Sequence, residues 1–521
     1  MDGLPADEQP MRIIPAARAS KKASKLAAHD QEAQDYGSLI RKLVKSSGIY
    51  ALSSLTSPLV SLVLAPFLTY HLSRTEYGTL AVLNTFVVLV SSVTQLGLGA
   101  AFFRAYKYDY ESQRDRLHVI STLFMLLLLS TLSTTIIVAV AAPSLAVFLF
   151  NAPSLSGAVR VSALVVLVQN LTLPGLCWLR AESRAVFFTA VSVINLLVSA
   201  GATIFLVGIR HMGIEGALLA IGGGYAVIVF STLPMLLLHA GFRLRFDIAK
   251  GLLLFGFPHA LSFISAWVLQ LSDRYLLGLL GSLAQTASYA VAYNLGGVLT
   301  TVVIVPFSLA WWAIMYSIAK RDDAKHVFRL IFRWFSTALL FAAFGLSTLG
   351  VIVLDLLFPP SYHSAAPVIP IIAMSMVFNG VNTVLMLGPS LKRKTWLITV
   401  SVASSALINT ALNLVLIPHY GAMGAAIATL IAYAALALIS GVINQRIYPV
   451  SFEVGRFLIA MLMGIALYTG SSFLAQTQQF YIAWAIHIAG LGLYGGCLAL
   501  LGKLPTRSHK HVHTSEGGLV S

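Results

Sequence analysis

The sequence predicts an all-α polytopic membrane protein of about fourteen transmembrane helices, built as two six-helix lobes in a parallel repeat with an appended helix pair. Three observations predict it. Only 10% of the 521 residues are charged and 58% are hydrophobic, whereas a soluble domain carries about 25% charged residues. Apolar runs of about 20 residues recur, each long enough to cross a hydrocarbon core of about 30 Å as a helix. And one small-residue motif is written twice, at 213–217 and 421–425. The alternating segments of about 10 residues that mark a membrane barrel are not found.

Taken in order, residues 1–40 are rich in Ala, Ser and Lys and have no apolar core, so they read as a cytoplasmic, unstructured segment and not as a signal peptide. Leu39, Ile40, Leu43 and Val44 then gather beside Arg41, Lys42 and Lys45. That spacing suits either a short helix on an anionic membrane surface or a solvated lead-in. Candidate spans follow near 46–70, 77–100, 117–142, 158–179, 185–208, 213–239, 252–281, 287–311, 330–356, 365–389, 396–417, 421–444, 457–475 and 480–502. The expected divisions are 41–240 (spans 1–6), 241–446 (spans 7–12), 447–502 (spans 13 and 14) and a tail, 503–521.

Charge orients the spans. Of 34 Lys and Arg, only Arg74, Arg160 and Arg210 fall on one side and Arg274 within a span, leaving thirty on the other. Basic residues mark the cytoplasmic side, so both termini are expected there, in a bacterial inner membrane. The net charge of +15 thus sits where it sets topology and needs no nucleic-acid partner. Cys177 and Cys497 lie in or at the ends of spans and read as small apolar residues, not as a disulfide framework.

The repeat supports the two lobes. Gly213, Gly216 and Ala217 fall on Gly421, Gly424 and Ala425; Ala220, Tyr225 and Ala226 fall on Ala428, Tyr433 and Ala434. Ala51-Leu-Ser53 in span 1 meets Ala260-Leu-Ser262 in span 7 at nearly the same offset. An even number of spans separates the copies, so both have one orientation, and the lobes are related by an axis along the membrane normal. Gly424, Ala428 and Ala432 share a helix face. Helices in lipid associate through such small residues, so spans 6 and 12 should be tightly packed.

Three stretches carry a family resemblance. "APFLTYHLSRTEYGTLAVLNTF…QLGLGAAFFRAY" resembles spans 1 and 2 of the Wzx-type polysaccharide and O-antigen flippases. "GFPHALSFISAWVLQLSDRYLLGLL…ASYAVAYNLG" resembles their spans 7 and 8, and "KRKTWLITVSVASSALINTALNLVLIPHYGAMGAAIATLIAY" their loop 10–11 with spans 11 and 12. The resemblance covers roughly residues 40–500 and leaves the N-terminal segment unexplained. It implies the multidrug/oligosaccharidyl-lipid/polysaccharide exporter fold. It also implies a polyprenyl-pyrophosphate-linked glycan as substrate, membrane lipids and other polysaccharide assembly proteins as partners, and a place in exopolysaccharide or O-antigen biosynthesis.

Motifs of catalysis are missing. Gly502-Lys503 is followed by Leu504, so there is no Walker A loop, and neither H-E-x-x-H, Cys-x-x-Cys nor G-x-S-x-G occurs. No enzyme and no cofactor are expected, although coupling to an ion is open.

Candidate site residues come from polar stripes. His259, Ser262, Ala266, Gln270 and Asp273 are spaced 3, 4, 4 and 3, so they line one face of span 7, and Arg274 borders it. Tyr50, Ser53, Ser57 and Ser61 form the matching stripe of span 1. Both lobes thus turn a polar face toward a shared cavity; the alternative is that the serines bond back to their own helices. Pro58, Pro66 and Pro258 are candidate kinks. Asp273 and Arg274 either face cargo or neutralise partners on neighbouring helices. Arg104, ending span 2, either meets an incoming pyrophosphate or is one more topological charge. Ser73-Arg-Thr-Glu76 has capping-box spacing and starts span 2, with His71 and Arg74 as rim residues.

Three function classes follow: a lipid-linked oligosaccharide flippase, a cation-coupled drug exporter of the same fold, and a membrane glycan polymerase. The exporter needs carboxylates within spans, where only Asp273 and, near an end, Asp355 stand. The polymerase needs a large charged outer loop, whereas the segment 143–157 has no charge.

Overall fold

A computed structural model describes residues 56–475 and 480–503, and among them every regular element is helical. The surface-helix segment 36–45, Tyr50 and Ser53 lie outside the described residues. Helix α1 (Thr56–His71) carries Pro66 in its interior. Helix α2 (Arg74–Gln95) starts on the expected capping box: Ser73 Oγ accepts from the Glu76 amide, and Glu76 Oε2 accepts from the Ser73 amide at 2.8 Å. This satisfies two of the donors that a helix start leaves open. Leu96 and Gly97 turn left-handed, and α3 (Leu98–Arg104) continues the second span.

The N-terminal lobe is completed by α4 (Gln113–Val140), the short α5 (Ala142–Phe150), α6 (Ser156–Ala181), α7 (Ala185–Thr203) and α8 (Gly213–Ala240). The second lobe holds α9 (Phe246–Leu280), α10 (Leu283–Gly296), α11 (Val305–Ile318), α12 (Ala324–Leu357), α13 (Val368–Leu385), α14 (Leu387–Leu391) and α15 (Trp396–Ile447). Helices α4, α6, α7 and α8 pack chiefly within the first group, and α12, α13 and α15 within the second. The appended pair, α16 (Val454–Ala475) and α17 (Phe480–Lys503), packs on itself and against α12. Helix α9 is not peripheral: it lies against α15 of its own lobe and against α2 and α3 of the other. It bends by 48° between Phe257 and Ser262, across the break that contains Pro258.

Eleven helices among the described residues are long and apolar enough to cross a membrane, or twelve when the bent α9 is one span. The protein is a multi-pass membrane protein, and the difference from the expected fourteen lies in expected span 1 and in expected spans 11 and 12. The first expected span begins outside the described residues, leaving α1 with 16. Expected spans 11 and 12 are two helices within α15, separated by a kink at Gly421, where φ is 54° and ψ −130°.

That break accounts for the repeated motif. Gly213 and Gly421 both take the left-handed backbone, at φ 57° and 54°, where each lobe's last helix begins. The second glycine of each copy lets the preceding segment approach: a Cβ on Gly216 would meet Met212 and Leu206, and one on Gly424 would overlap the Leu416 carbonyl. Downstream, Ala425, Ala428 and Ala432 are fully buried.

The structure extends the repeat beyond the residues that announce it. Ser282 caps α10 by accepting from the Gln285 amide at 3.2 Å, 209 positions after Ser73 caps α2. A Cβ on Gly213 would stand 3.5 Å from Glu76, and one on Gly421 would stand 2.8 Å from Gln285. Each lobe thus sets the residue three after its capping serine against the same glycine. Left-handed backbone costs a residue with a Cβ about 1–2 kcal/mol, so both Gly→Ala changes should destabilise. Gly421→Ala should lower the melting temperature of the purified protein more than Gly213→Ala, because only there must a neighbour also move. Equal shifts would show that backbone strain alone decides.

Candidate functional site

The two lobes meet at both ends of the bundle. At one end, the start of α2 approaches the start of α10 so closely that a Cβ on Gly78 would overlap the Leu283 carbonyl. Arg74 bridges this seam. Its guanidinium donates to Ser288 Oγ at 2.7 Å and to the Ala284 carbonyl at 3.3 Å, and it stands 5.8 Å from the Tyr362 ring. Burial pushes the Tyr362 hydroxyl above its ordinary range, so that ring stays neutral beside the cation. Arg74, expected at the rim, is therefore half-buried and joins the lobes. At the other end, α9 lies on the α2–α3 turn, where a Cβ on Gly256 would overlap the Leu96 carbonyl.

Between the seams lie two chambers, of about 290 and 300 Å³. The first is set in the second lobe and is lined by Gln270, Tyr293, Thr301, Asn379 and Tyr433 among others. The second reaches into the first lobe, with Tyr77, Asn84, Ser199 and Thr203 in its wall. Ala65, Arg274 and Asn294 line both. Ala65 precedes Arg274 by 209 positions, the separation that pairs span 1 with span 7, so the repeat brings equivalent positions to one place with a charge on one side only.

Arg274 is half-buried, and its Nε is enclosed without a hydrogen-bond partner. Its guanidinium stands 4.8 Å from the Tyr293 ring. A cation within a span costs about 2.5–3.5 kcal/mol at the centre, and a cation–π contact returns about 0.5–2. Half-exposed and six residues from the end of α9, Arg274 bears less than that cost, and its guanidinium faces both chambers, where it can take a further acceptor.

The adjacent Asp273 does not supply it. One step along a helix turns the side chain by about 100°, and Asp273 points into the second lobe, 1% exposed. Tyr289 Oη and Thr429 Oγ1 both reach its Oδ2, at 2.7 and 2.6 Å, and Asn413 Nδ2 donates to its Oδ1 at 2.6 Å. Beside this cluster, Asn413 Oδ1 and Asn409 Nδ2 are buried without partners.

The other expected site residues divide. Gln270 lines the first chamber. Ser262 pairs with Thr399 Oγ1 at 3.1 Å within its own lobe. Arg104 lines neither chamber; it stands over the Phe255 ring at 4.7 Å and pairs with Asp109 at 3.6 Å. Tyr50 and Ser53, and the side chains of Ser57, Ser61 and His259, lie outside the described residues. Asn294 and Asn379 were not singled out in the sequence. An amide inside an apolar run, as in Ala292-Tyr-Asn-Leu295, is the signal that marks such positions.

Losing the Arg74 bridge should loosen one end of the seam. In a background without Cys177 and Cys497, we expect a thiol reagent to label a cysteine at Asn294 several-fold faster when Arg74→Ala is added. An unchanged rate would show that the Gly78–Leu283 packing closes that end unaided.

The geometry agrees with comparison to known proteins. No curated protein matches the sequence. A family model described as polysaccharide biosynthesis protein matches residues 43–319, more than half of the chain. Among solved structures, lipid II flippase MurJ in an inward-closed conformation is similar at a TM-score of 0.70 and 15% identity, over 87% of this chain and 99% of that one. An inward-facing multidrug resistance transporter of the MATE family aligns at 0.60 and 14% identity, over 76% and 97% of the two chains. A transporter of the MOP superfamily from Pyrococcus furiosus aligns at 0.56 and 15%, over 78% and 95%. At such identities the structural likeness establishes the fold alone. With the family match added, the chain belongs to the polysaccharide biosynthesis protein family and has the fold of the MOP-superfamily transporters.

Proposed function

We propose that the protein is a flippase that carries a lipid-pyrophosphate-linked oligosaccharide across the cytoplasmic membrane, by alternating access of its two lobes. The observation that carries this reading is Arg274, shared by both chambers at the lobe seam and not paired with a carboxylate among the described residues. A guanidinium matches phosphate oxygens two at a time and keeps its charge at any physiological pH. The amides and hydroxyls around it offer hydrogen bonds to sugar hydroxyls. The family match and the flippase among its structural neighbours support the same reading.

The cation-coupled drug exporter fits less well, because the one charge on the chamber walls among the described residues is positive and disfavours a cationic drug. A coupling ion has a place within the flippase reading. Asp273, held inside the second lobe by Tyr289, Asn413 and Thr429, is the group to which we assign a coupling proton or monovalent cation. The test of the function is reconstitution. Liposomes holding the protein should move a polyprenyl-pyrophosphate oligosaccharide across the bilayer faster than empty ones. Movement of cationic dyes with none of the lipid-linked sugar would favour the exporter.

The charge split further supports a reading in which both termini are cytoplasmic and the Arg74 seam lies on the outer side. Ser154 and Lys392 are both exposed and fall on opposite sides in this scheme. A cysteine at Ser154 should react with an impermeant reagent applied from outside, and one at Lys392 only after the membrane is opened. The reverse labelling overturns the orientation.

A further inference from the structure

We infer that the glycan accepted by the two chambers is uncharged. This rests on the flippase reading and adds the chemical class of the sugar. The observation is the balance of charge on the chamber walls. Among the described residues that line them, Arg274 is the sole charged group. The rest of the polar lining is neutral, as in Gln270, Thr301 and Asn379 of one chamber and Asn84, Ser199 and Thr203 of the other. The nearby charges are already engaged. Asp273 is turned into the second lobe toward Tyr289, Asn413 and Thr429, and Arg74 is held at the seam by Ser288.

The charge of the cargo follows from this balance. A pyrophosphate diester brings two negative charges, and one guanidinium cannot neutralise both. A sugar carboxylate drawn into either chamber would meet no further cation there. It would leave water for a low-dielectric wall while standing near a like charge, and burying an unpaired charge is costly. Neutral amides and hydroxyls serve sugar hydroxyls well, since each both donates and accepts. Tyr293 and Tyr433 on one side and Tyr77 on the other supply rings for the apolar faces of pyranoses. The walls therefore select hydroxyl-rich, uncharged units and reject uronic acids.

The test compares two lipid-linked probes that differ in one group. One is a polyprenyl-pyrophosphate oligosaccharide containing glucose. The other carries glucuronic acid in its place, so that a hydroxymethyl becomes a carboxylate. Both are presented to the full chain in proteoliposomes, and the rate of crossing is measured for each. The glucose probe should cross at least tenfold faster. Asn379→Arg, or Asn84→Arg in the other chamber, should narrow that ratio by giving the carboxylate a partner, with melting temperatures confirming that each variant folds. Equal rates, or faster crossing of the glucuronate probe, overturn the neutral-glycan inference and leave the flippase reading standing. Crossing of neither probe above empty liposomes overturns both.

Discussion

Replacement of Arg274 by alanine should abolish most transport while leaving the protein in the membrane. Hydrogen bonds to a charged group contribute about 1.5–3 kcal/mol each, and every 1.4 kcal/mol is tenfold in an equilibrium. Losing a two-pronged contact with phosphate should therefore cost on the order of 100-fold or more. The fold should tolerate the change, because among the described residues Arg274 has no ion-pair partner to strand and its Nε already lacks a hydrogen-bond partner. Its main contact is the Tyr293 ring. Arg274→Lys keeps the charge without the planar fork, so it should fall between wild type and alanine. The measurement is crossing of a polyprenyl-pyrophosphate oligosaccharide in proteoliposomes, with protein content measured alongside. Wild-type rates for Arg274→Ala at normal abundance would remove this side chain from the site. Loss of the protein from the membrane would instead make it a structural element of the lobe seam.

Asp273 should behave in the opposite way, as a residue whose removal damages the fold first. Asp273→Leu removes the acceptor that Tyr289 Oη and Asn413 Nδ2 share, leaving Tyr289 with Thr429 Oγ1 at 3.2 Å and Asn413 Nδ2 with Asn409 Oδ1 at 3.0 Å. Thr429 is less affected, because its hydroxyl also reaches the Ala425 carbonyl at 2.9 Å. A buried donor left without its acceptor costs about 1–3 kcal/mol. In a bilayer the average is closer to 0.6 kcal/mol per bond, because the unfolded helices find other partners. Two lost bonds, each donor keeping a second acceptor, should thus cost roughly 1–2 kcal/mol, read as a lower melting temperature in detergent. Asp273→Asn keeps the shape and one acceptor, so it should restore most of that stability. If the cluster holds the coupling ion, Asp273→Asn should also abolish the response of transport to an imposed ion gradient. A stable Asp273→Asn protein with an unchanged gradient response would confine Asp273 to structure.

Much of the fold was legible because it depends on short windows of chain. The apolar length of each span, the Ser73–Glu76 cap and the small-residue face at Gly424, Ala428 and Ala432 are each set within a few turns of helix. The twofold writing of the motif was legible too, and with it the reason that glycine occupies both 213 and 421 could be sought. The junction of expected spans 11 and 12 was harder, because a single non-helical residue, Gly421, divides the two helices.

The site was legible only in part. Helical spacing put Asp273 and Arg274 near one polar face, but spacing cannot tell which neighbour each will meet. Only the packed structure decided it. Asp273 turned to Thr429, 156 positions away, while Arg274 turned to the seam between chambers. Arg74 read as a rim charge until α10 placed Ser288, 214 positions away, within 2.7 Å of it. Local sequence and the bilayer determine which segments become helices and how they cross. Which side chains then share a cavity depends on contacts between distant lobes, and these are set by the close approach of backbone at Gly78 and Gly256, a property of the assembled pair and of neither lobe alone.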